Sequence, residues 1–209
     1  DLYRDATGLL LDPYFSGTKM RWLLEHGGAV AEAAAAGHLR FVTVDAFLVH
    51  LLTGGDVLAT DPTNASRTLL YDINQHRWSE ELMAPLGVEA AMLPEVRPSA
   101  GDFGVTARDR VGFEVPIAGV AGDQQAALFG QGCFRPGTAK NTYGTGCFLL
   151  VNAGASRPAA PSGLLTTVAA DPRGAPTYAL EGSVFVAGAP VPWPRDELGL
   201  VGYAAEPAP

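Results

Sequence analysis

Cysteine is scarce: Cys133 and Cys147 are the only two in 209 residues, and they form no Cys-x-x-Cys pair. That excludes a disulfide-stapled scaffold and a thiolate zinc cluster. A single bridge between the two stays open from the sequence, although buried free thiols are the expected state. Histidine is thin as well. His26, His38, His50 and His76 lie far apart, with no pair at ligand spacing on one helix face. They read as surface or helix-end residues, and no protein-bound transition metal is expected. Positive charge is outweighed, with 14 Lys and Arg against 22 Asp and Glu for a net charge of −8. The clustered basic surface that nucleic acid requires is thereby excluded. No apolar run approaches the roughly 20 residues of a membrane-spanning helix. No signal peptide opens the chain either, so a cytoplasmic protein is expected.

What is present is ample core material. Apolar residues make up 47% of the chain, and its 25 glycines and 16 prolines are too few to mark disorder. The length suits one large domain or one and a half small ones. Ser16 stands at an N-cap position before Met20, Leu23 and Leu24 at helical spacing, and Gly27-Gly28 ends that helix. Ala29 to Ala36 is a second helix closed by Gly37. A third carries Val44, Phe47, Leu48, Leu51 and Leu52 on one stripe and stops at Gly54-Gly55. Asp61 to Leu70 reads as a polar loop running into a short apolar stretch, and Trp78 to Leu86 as an amphipathic helix. The chain from Arg97 to Val111 is irregular. Val115 to Val120, apolar and β-branched, predicts a buried strand. A helix follows Asp123 and ends near Gly130. After a turn at Cys133 to Gly137 the pattern changes to period two over 138–142, 147–152, 164–169 and 177–182. These stretches predict an antiparallel meander. The fold class is α/β, with a domain boundary at Cys133 separating residues 1–132 from 133–209.

Two stretches carry chemistry. In Ala118-Gly119-Val120-Ala121-Gly122-Asp123-Gln124-Gln125 a β-like run reaches a glycine, presents one acid and enters an Ala-rich helix. Open α/β sheets place ligands at that edge, and a helix N-terminus favours an ionised carboxylate able to accept a proton. From the Gly-Asp dipeptide alone, Asp123 reads as an N-cap. Gln124, Gln125 and a later Gly-Thr-Gly turn shift the reading to a catalytic base. Gln124 lies on the first helical turn, within reach of a substrate hydroxyl. Gln125 points about 100° away and reads as structural. The second stretch is Lys140-Asn141-Thr142-Tyr143-Gly144-Thr145-Gly146-Cys147-Phe148. Gly144 and Gly146 let backbone approach phosphate oxygens, and Thr145 supplies a hydroxyl and an N–H to them. A lone Gly-x-Gly between strands is otherwise a hairpin turn.

These motifs resemble the glycerol kinases of the carbohydrate kinase family that shares its ribonuclease H-like core with actin and hexokinase. The resemblance runs from Asp12 to about Asp196. It implies ATP-dependent phosphorylation of glycerol to glycerol 3-phosphate, with Mg²⁺ on the phosphates and Asp123 as the base. In Asp12-Pro13-Tyr14-Phe15-Ser16-Gly17-Thr18-Lys19 it gives Tyr14 a place in the polyol pocket. Gln124 and Phe148 join it there, Phe148 as an apolar wall. Gly144, Thr145 and Gly188 fall to the nucleotide. Thr63-Asn64-Ala65-Ser66-Arg67-Thr68 resembles a further family signature whose side chains organise loops behind the site. Asn64-Ala65-Ser66 also fits a glycosylation sequon, a chance match in a chain without a secretory signal.

The same resemblance makes this chain an internal piece. The family's phosphate-binding hairpin and the Arg-Glu pair that grips the polyol would precede Asp1. Most of the adenosine-binding domain would follow Pro209, so the chain alone is expected to be inactive. At native length a homo-oligomer is expected. Pro192 stands where the family places a glutamine near the nucleotide, and the run Pro190-Val191-Pro192-Trp193-Pro194 disfavours the helix expected there. Between Gly104 and Val115 there is no histidine, and Glu114 stands near the place of a regulatory arginine. Neither family mode of feedback control is therefore expected. Two rivals remain: a kinase of the same family for xylulose, ribulose or gluconate, and a truncated, non-catalytic polyol-binding homologue.

Overall fold

Local chain chemistry places the helices of the computed structural model, which describes residues 1–170, 175, 177–188 and 192–200. Helix α1 (Leu2–Thr7) is closed by Gly8 in the left-handed conformation, with φ 75°. Helix α2 (Ser16–His26) begins at Ser16 itself, with Phe15 in the cap position and no side-chain cap. The expected Ser16 cap is not used, and the N–H of Gly17 donates instead to Thr68 O at 2.8 Å. A side chain at Gly17 would meet that carbonyl at 2.7 Å. Helices α3 (Gly28–Ala35) and α4 (Val44–Leu52) follow, and α4 stops before Gly54 and Gly55, both at positive φ.

The stretch from Asp61 to Leu70 opens on a capped one-turn helix before turning into the loop. Helix α5 (Pro62–Ala65) starts with Pro62 in its first turn, and the Asp61 side chain accepts the N–H groups of Thr63 and Asn64. Two-residue strands β1 (Ala59–Thr60) and β4 (Glu95–Val96) pair in parallel, and β2 (Tyr71–Asp72) pairs antiparallel with β3 (Arg77–Trp78). The amphipathic stretch after Trp78 shortens to α6 (Glu80–Met83), which Pro85 turns into a 3₁₀ segment at Ala84–Leu86. Leu9, Phe15, Met20, Leu69, Leu70, Leu82 and Met83 fill the largest core cluster between these elements.

The expected buried strand at Val115–Val120 does not form. Its bonds to 99–106 are interrupted, with isolated bridges at Ala100–Gly119 and Val105–Pro116. Pro116 has no N–H to give a ladder, Gly101 and Gly104 bend the partner, and Val115 is 44% exposed. The connection between the two stretches holds a one-turn helix, α7 (Arg108–Val111).

Helix α8 (Asp123–Gly130) leads into four strands: β5 (Ala139–Tyr143), β6 (Cys147–Gly154), β7 (Leu165–Val168) and β8 (Tyr178–Val184). Every pairing is antiparallel, but the order is β5-β6-β8-β7, not a meander. The ten-residue connection 155–164 contains Pro158 and Pro161 and is anchored by Arg157, which donates to Arg4 O, Asp5 O and Asn74 Oδ1. A tight β6–β7 hairpin is thus denied, and β8 takes the central place. Leu128 of α8 packs on Leu150 and Ala179 of the sheet, whose other contacts reach Ala65, Tyr71 and Ile73. A short final helix, α9 (Pro192–Asp196), tolerates Pro192 at its start, where the missing N–H would have had no partner. Pro190 and Val191 of the proline-rich run lie outside the described residues. Cys133 and Cys147 are free thiols. His76, in a turn at φ 52°, departs from the expected surface setting: it is half-buried, with Nε2 3.2 Å from the Tyr178 hydroxyl.

Gly8 joins the two halves. Thr166 N–H donates to Gly8 O at 3.2 Å, and a Cβ on Gly8 would sit 2.2 Å from Thr166 O. Gly8→Ala is expected to cost about 2 kcal/mol or more in chemical denaturation, from the left-handed φ and the clash together. A second expectation concerns Tyr71, whose hydroxyl is driven well above the usual tyrosine range by burial first, then by Asp61, Tyr178 and Asp72. Burial shifts Tyr3 and Tyr178 in the same direction. The folded chain then keeps protons that the unfolded chain releases above pH ~10, so stability falls as pH rises beyond that point. Tyr71→Phe should flatten that alkaline slope by up to about 1.4 kcal/mol per pH unit in denaturant titrations.

Candidate functional site

The site is built on a buried carboxylate. Asp61 is fully buried and collects donors from both sides of the chain. Thr63 and Asn64 bring backbone N–H groups, Thr63 Oγ1 and Asn64 Nδ2 bring side-chain donors at 2.8 Å, and Ser99 Oγ donates at 2.5 Å. Thr63 Oγ1 gives its proton to Asp61 and accepts from Gly122 N–H at 2.7 Å. The turn that ends at Asp123 is therefore hung from helix α5. A Cβ on Gly122 would lie 2.7 Å from Gln125 Oε1, so a side chain there would displace the Gln125 amide.

Asp123 is the first residue of α8 and exposed, and its Oδ2 accepts from Gln124 Nε2 at 3.0 Å. Gln125 is buried, with Nε2 3.4 Å from Thr167 Oγ1, in keeping with a structural role. In front of Asp123 lies a cavity of about 360 Å³ lined by Tyr14, Phe15, Asn64, Arg67, Phe148 and Glu181 along with the start of α8. Tyr14 is 57% exposed, edge-on to Phe15 at 5.3 Å and 5.9 Å from the Phe185 ring. Tyr14, Asp123, Gln124 and Phe148, far apart in the chain, thus share one cavity.

Charged groups form its floor. Arg67 Nη1 lies 2.7 Å from Glu181 Oε2 and Nη2 donates to Oε1 at 3.1 Å, an ion pair with one charge-assisted hydrogen bond, and the guanidinium also covers the Phe15 ring at 5.2 Å. Lys140 is buried on β5, its ammonium donating to Gln124 Oε1, to Thr142 Oγ1 at 2.8 Å and to Phe148 O at 3.1 Å. Burial holds the Lys140 ammonium below the usual lysine pKa, and the Asp123 and Glu181 carboxylates partly offset that.

The second group of predicted residues sits at the end of the β5–β6 hairpin. Gly144 N–H donates to Gly146 O at 2.8 Å, closing the turn. Gly188 comes back against it, its N–H 3.1 Å from Gly144 O and 3.2 Å from Thr145 O. A Cβ on Gly188 would lie 2.4 Å from Gly144 O, so only glycine allows the approach. Gly144, Thr145 and Gly188 are together, beside the cavity rather than in its lining. Sequence reasoning passed over Lys140, Arg67 and Glu181 as site residues. The available signal was positional: period two puts Lys140 and Thr142 on one face of β5, opposite buried Leu150 in the register.

Residues 1–130 match the N-terminal domain of the FGGY family of carbohydrate kinases. The chain is 55% identical over 205 residues to a glycerol kinase of Brucella ovis, covering 98% of this chain and 41% of that protein. It is 59% identical over 200 residues to a glycerol kinase of Allorhizobium ampelinum, covering 96% and 40%. The chain spans about two fifths of the length of these curated relatives. Among solved structures, Plasmodium falciparum glycerol kinase with ADP superposes with a TM-score of 0.90 at 36% identity, over 98% of this chain and 41% of that one. A xylulose kinase from Brucella ovis gives 0.80 at 26% identity, over 95% and 40%.

Thr63→Val tests the suspension of the turn. It removes the acceptor of Gly122 N–H and one donor to Asp61, so a loss of about 1–3 kcal/mol is expected. Amide exchange at Gly122 should quicken by about tenfold or more, beyond any change at Leu128 in the middle of α8.

Proposed function

This chain belongs to the FGGY family of carbohydrate kinases, with their actin- and hexokinase-like fold, and on that premise we propose that it carries the polyol site and catalytic base of an ATP-dependent glycerol kinase. The observation that carries the reading is the meeting of Tyr14, Asp123, Gln124 and Phe148 around one cavity of about 360 Å³. The higher identity to glycerol kinases than to the xylulose kinase supports glycerol as the polyol.

In this reading a terminal hydroxyl of glycerol lies against Asp123, whose carboxylate takes the proton as the oxygen attacks the γ-phosphorus. The bond from that phosphorus to the bridging oxygen of ADP breaks, and ADP leaves with the electron pair. Gln124 Nε2 donates to the attacking oxygen, Tyr14 offers its hydroxyl to another, and Phe148 covers the carbon chain. Phosphate oxygens meet the Gly144–Thr145 turn, where Gly188 packs closely enough to hold its shape. Mg²⁺ would neutralise phosphate charge. Among the described residues no three His, Cys, Asp or Glu side chains gather; the ion would be held on the nucleotide phosphates, with Asp123 available as a carboxylate at the cavity. Residues 1–132 form the polyol-binding domain and 133–209 begin the nucleotide-binding one, a division supported by the family match ending at residue 130. The native-length protein is a cytoplasmic homo-oligomer. Among the described residues no helix is long and apolar enough to cross a membrane.

At the length its source cell makes it, the protein should phosphorylate glycerol in preference to xylulose, ribulose and gluconate in a coupled ADP-release assay. Asp123→Asn should lower kcat by about 10²–10⁴-fold while leaving the thermal transition in place. Absent glycerol turnover, or an Asp123→Asn enzyme as fast as the parent, would overturn the reading.

A further inference from the structure

Lys140 is a cation without a touching carboxylate. It is 2% exposed, and its three ammonium protons go to three neutral acceptors: Gln124 Oε1, Thr142 Oγ1 and Phe148 O. Glu181 is already paired with Arg67. Removing such a charge from water is costly, so its retention calls for a task that a neutral side chain could not perform.

The contacts show the task. An ammonium only donates, so the part of the Gln124 amide facing it has to be Oε1. A carboxylate only accepts, so the part facing Asp123 Oδ2 has to be Nε2. Turning the amide over would set Nε2 against the ammonium and Oε1 against the carboxylate, two repulsive contacts in place of two attractive ones. Lys140 and Asp123 therefore lock one amide orientation from opposite ends. The second Nε2 proton then remains for the cavity, beside the Asp123 carboxylate.

We propose that Lys140 is a positioning residue that fixes the Gln124 amide, so that the cavity offers one donor and one acceptor side by side to a single hydroxyl. The inference rests on the glycerol kinase reading and deepens it. A hydroxyl can accept from Gln124 while donating to Asp123, and in that pose its proton already points at the base. An ether, which has no proton, or a protonated amine, which has no lone pair, matches only half of the pair. β5 suits the purpose because its alternation buries Lys140 and Thr142 on the face toward α8 while Asn141 and Tyr143 point outward.

A double-mutant cycle in the native-length enzyme tests this. Lys140→Met and Gln124→Met should each raise the KM for glycerol by about tenfold, the scale of a hydrogen bond to a charged group, and leave the KM for ATP unchanged. The double variant should be no worse than the poorer single one, because Lys140 acts through Gln124. Losses that multiply, or a KM for ATP that rises in step, would overturn the proposal. If Lys140→Met does not fold, a second measurement decides on the native-length enzyme. The ammonium ¹H–¹⁵N signal of Lys140 should be protected from exchange and should move in Gln124→Met. An unmoved signal would overturn the proposal. A parent enzyme without glycerol turnover would fail the functional reading instead, with the spectra still testing the Lys140–Gln124 contact.

Discussion

The site depends on one carboxylate that lies outside the cavity lining. Asp61 has no solvent to share its charge with, so its two oxygens are served by backbone N–H, hydroxyl and amide donors drawn from α5 and from Ser99. An ionised group so buried persists only with every lone pair engaged, and that demand fixes the geometry of its donors. Thr63 passes the constraint on: with its proton committed to Asp61, its lone pair holds the Gly122 amide and hence the start of α8. Asp123 inherits its place from a residue 62 positions earlier in the chain.

The remaining anchoring is shared between helices and sheet. Helix α8 hangs by its first turn from α5, while Leu128 and Cys133 press its far end onto Leu150, Ala169 and Ala179. Opposite, Arg67 and Glu181 tie the turn after α5 to β8 across the cavity, and the guanidinium lies on Phe15, next to Tyr14. The pair is shielded enough for its charge-assisted bond to matter, and removing one member would strand the other with little water to replace it.

Much of this was legible in the sequence, but unevenly. The helices with clear apolar spacing were, and so were the four period-two stretches that became β5 to β8. Their order was not, since nothing in the strands themselves says that the 155–164 connection is too long and too proline-bound for a hairpin. Val115–Val120 misled because β-branched content reports a preference for extended backbone, and a ladder also needs a partner free of breaks. Asp123, Gln124 and the Gly-Thr-Gly turn stood out by motif. Lys140 did not, because a lysine in a polar stretch reads as solvent-facing until a helix is laid over it. Asp61 was hidden for the same reason: an acid in a polar stretch shows its burial only once the donors around it are known.

The Arg157 clamp on the carbonyls of Arg4 and Asp5, and the meeting of Gly8 with Thr166, have a temporal meaning. Helix α1 is held from nearby by Ile73 and Leu82, yet its Arg157 partner lies more than 150 residues downstream. Tyr178 closes onto Ile73 and Glu181 onto Arg67 across separations of 105 and 114 residues. Contacts of such long range carry a large loop-closure cost and form late. On the ribosome the first half can gather its helical core, but the cavity stays open on one side until β8 has emerged. The cavity in front of Asp123 is among the last of the described parts to be closed.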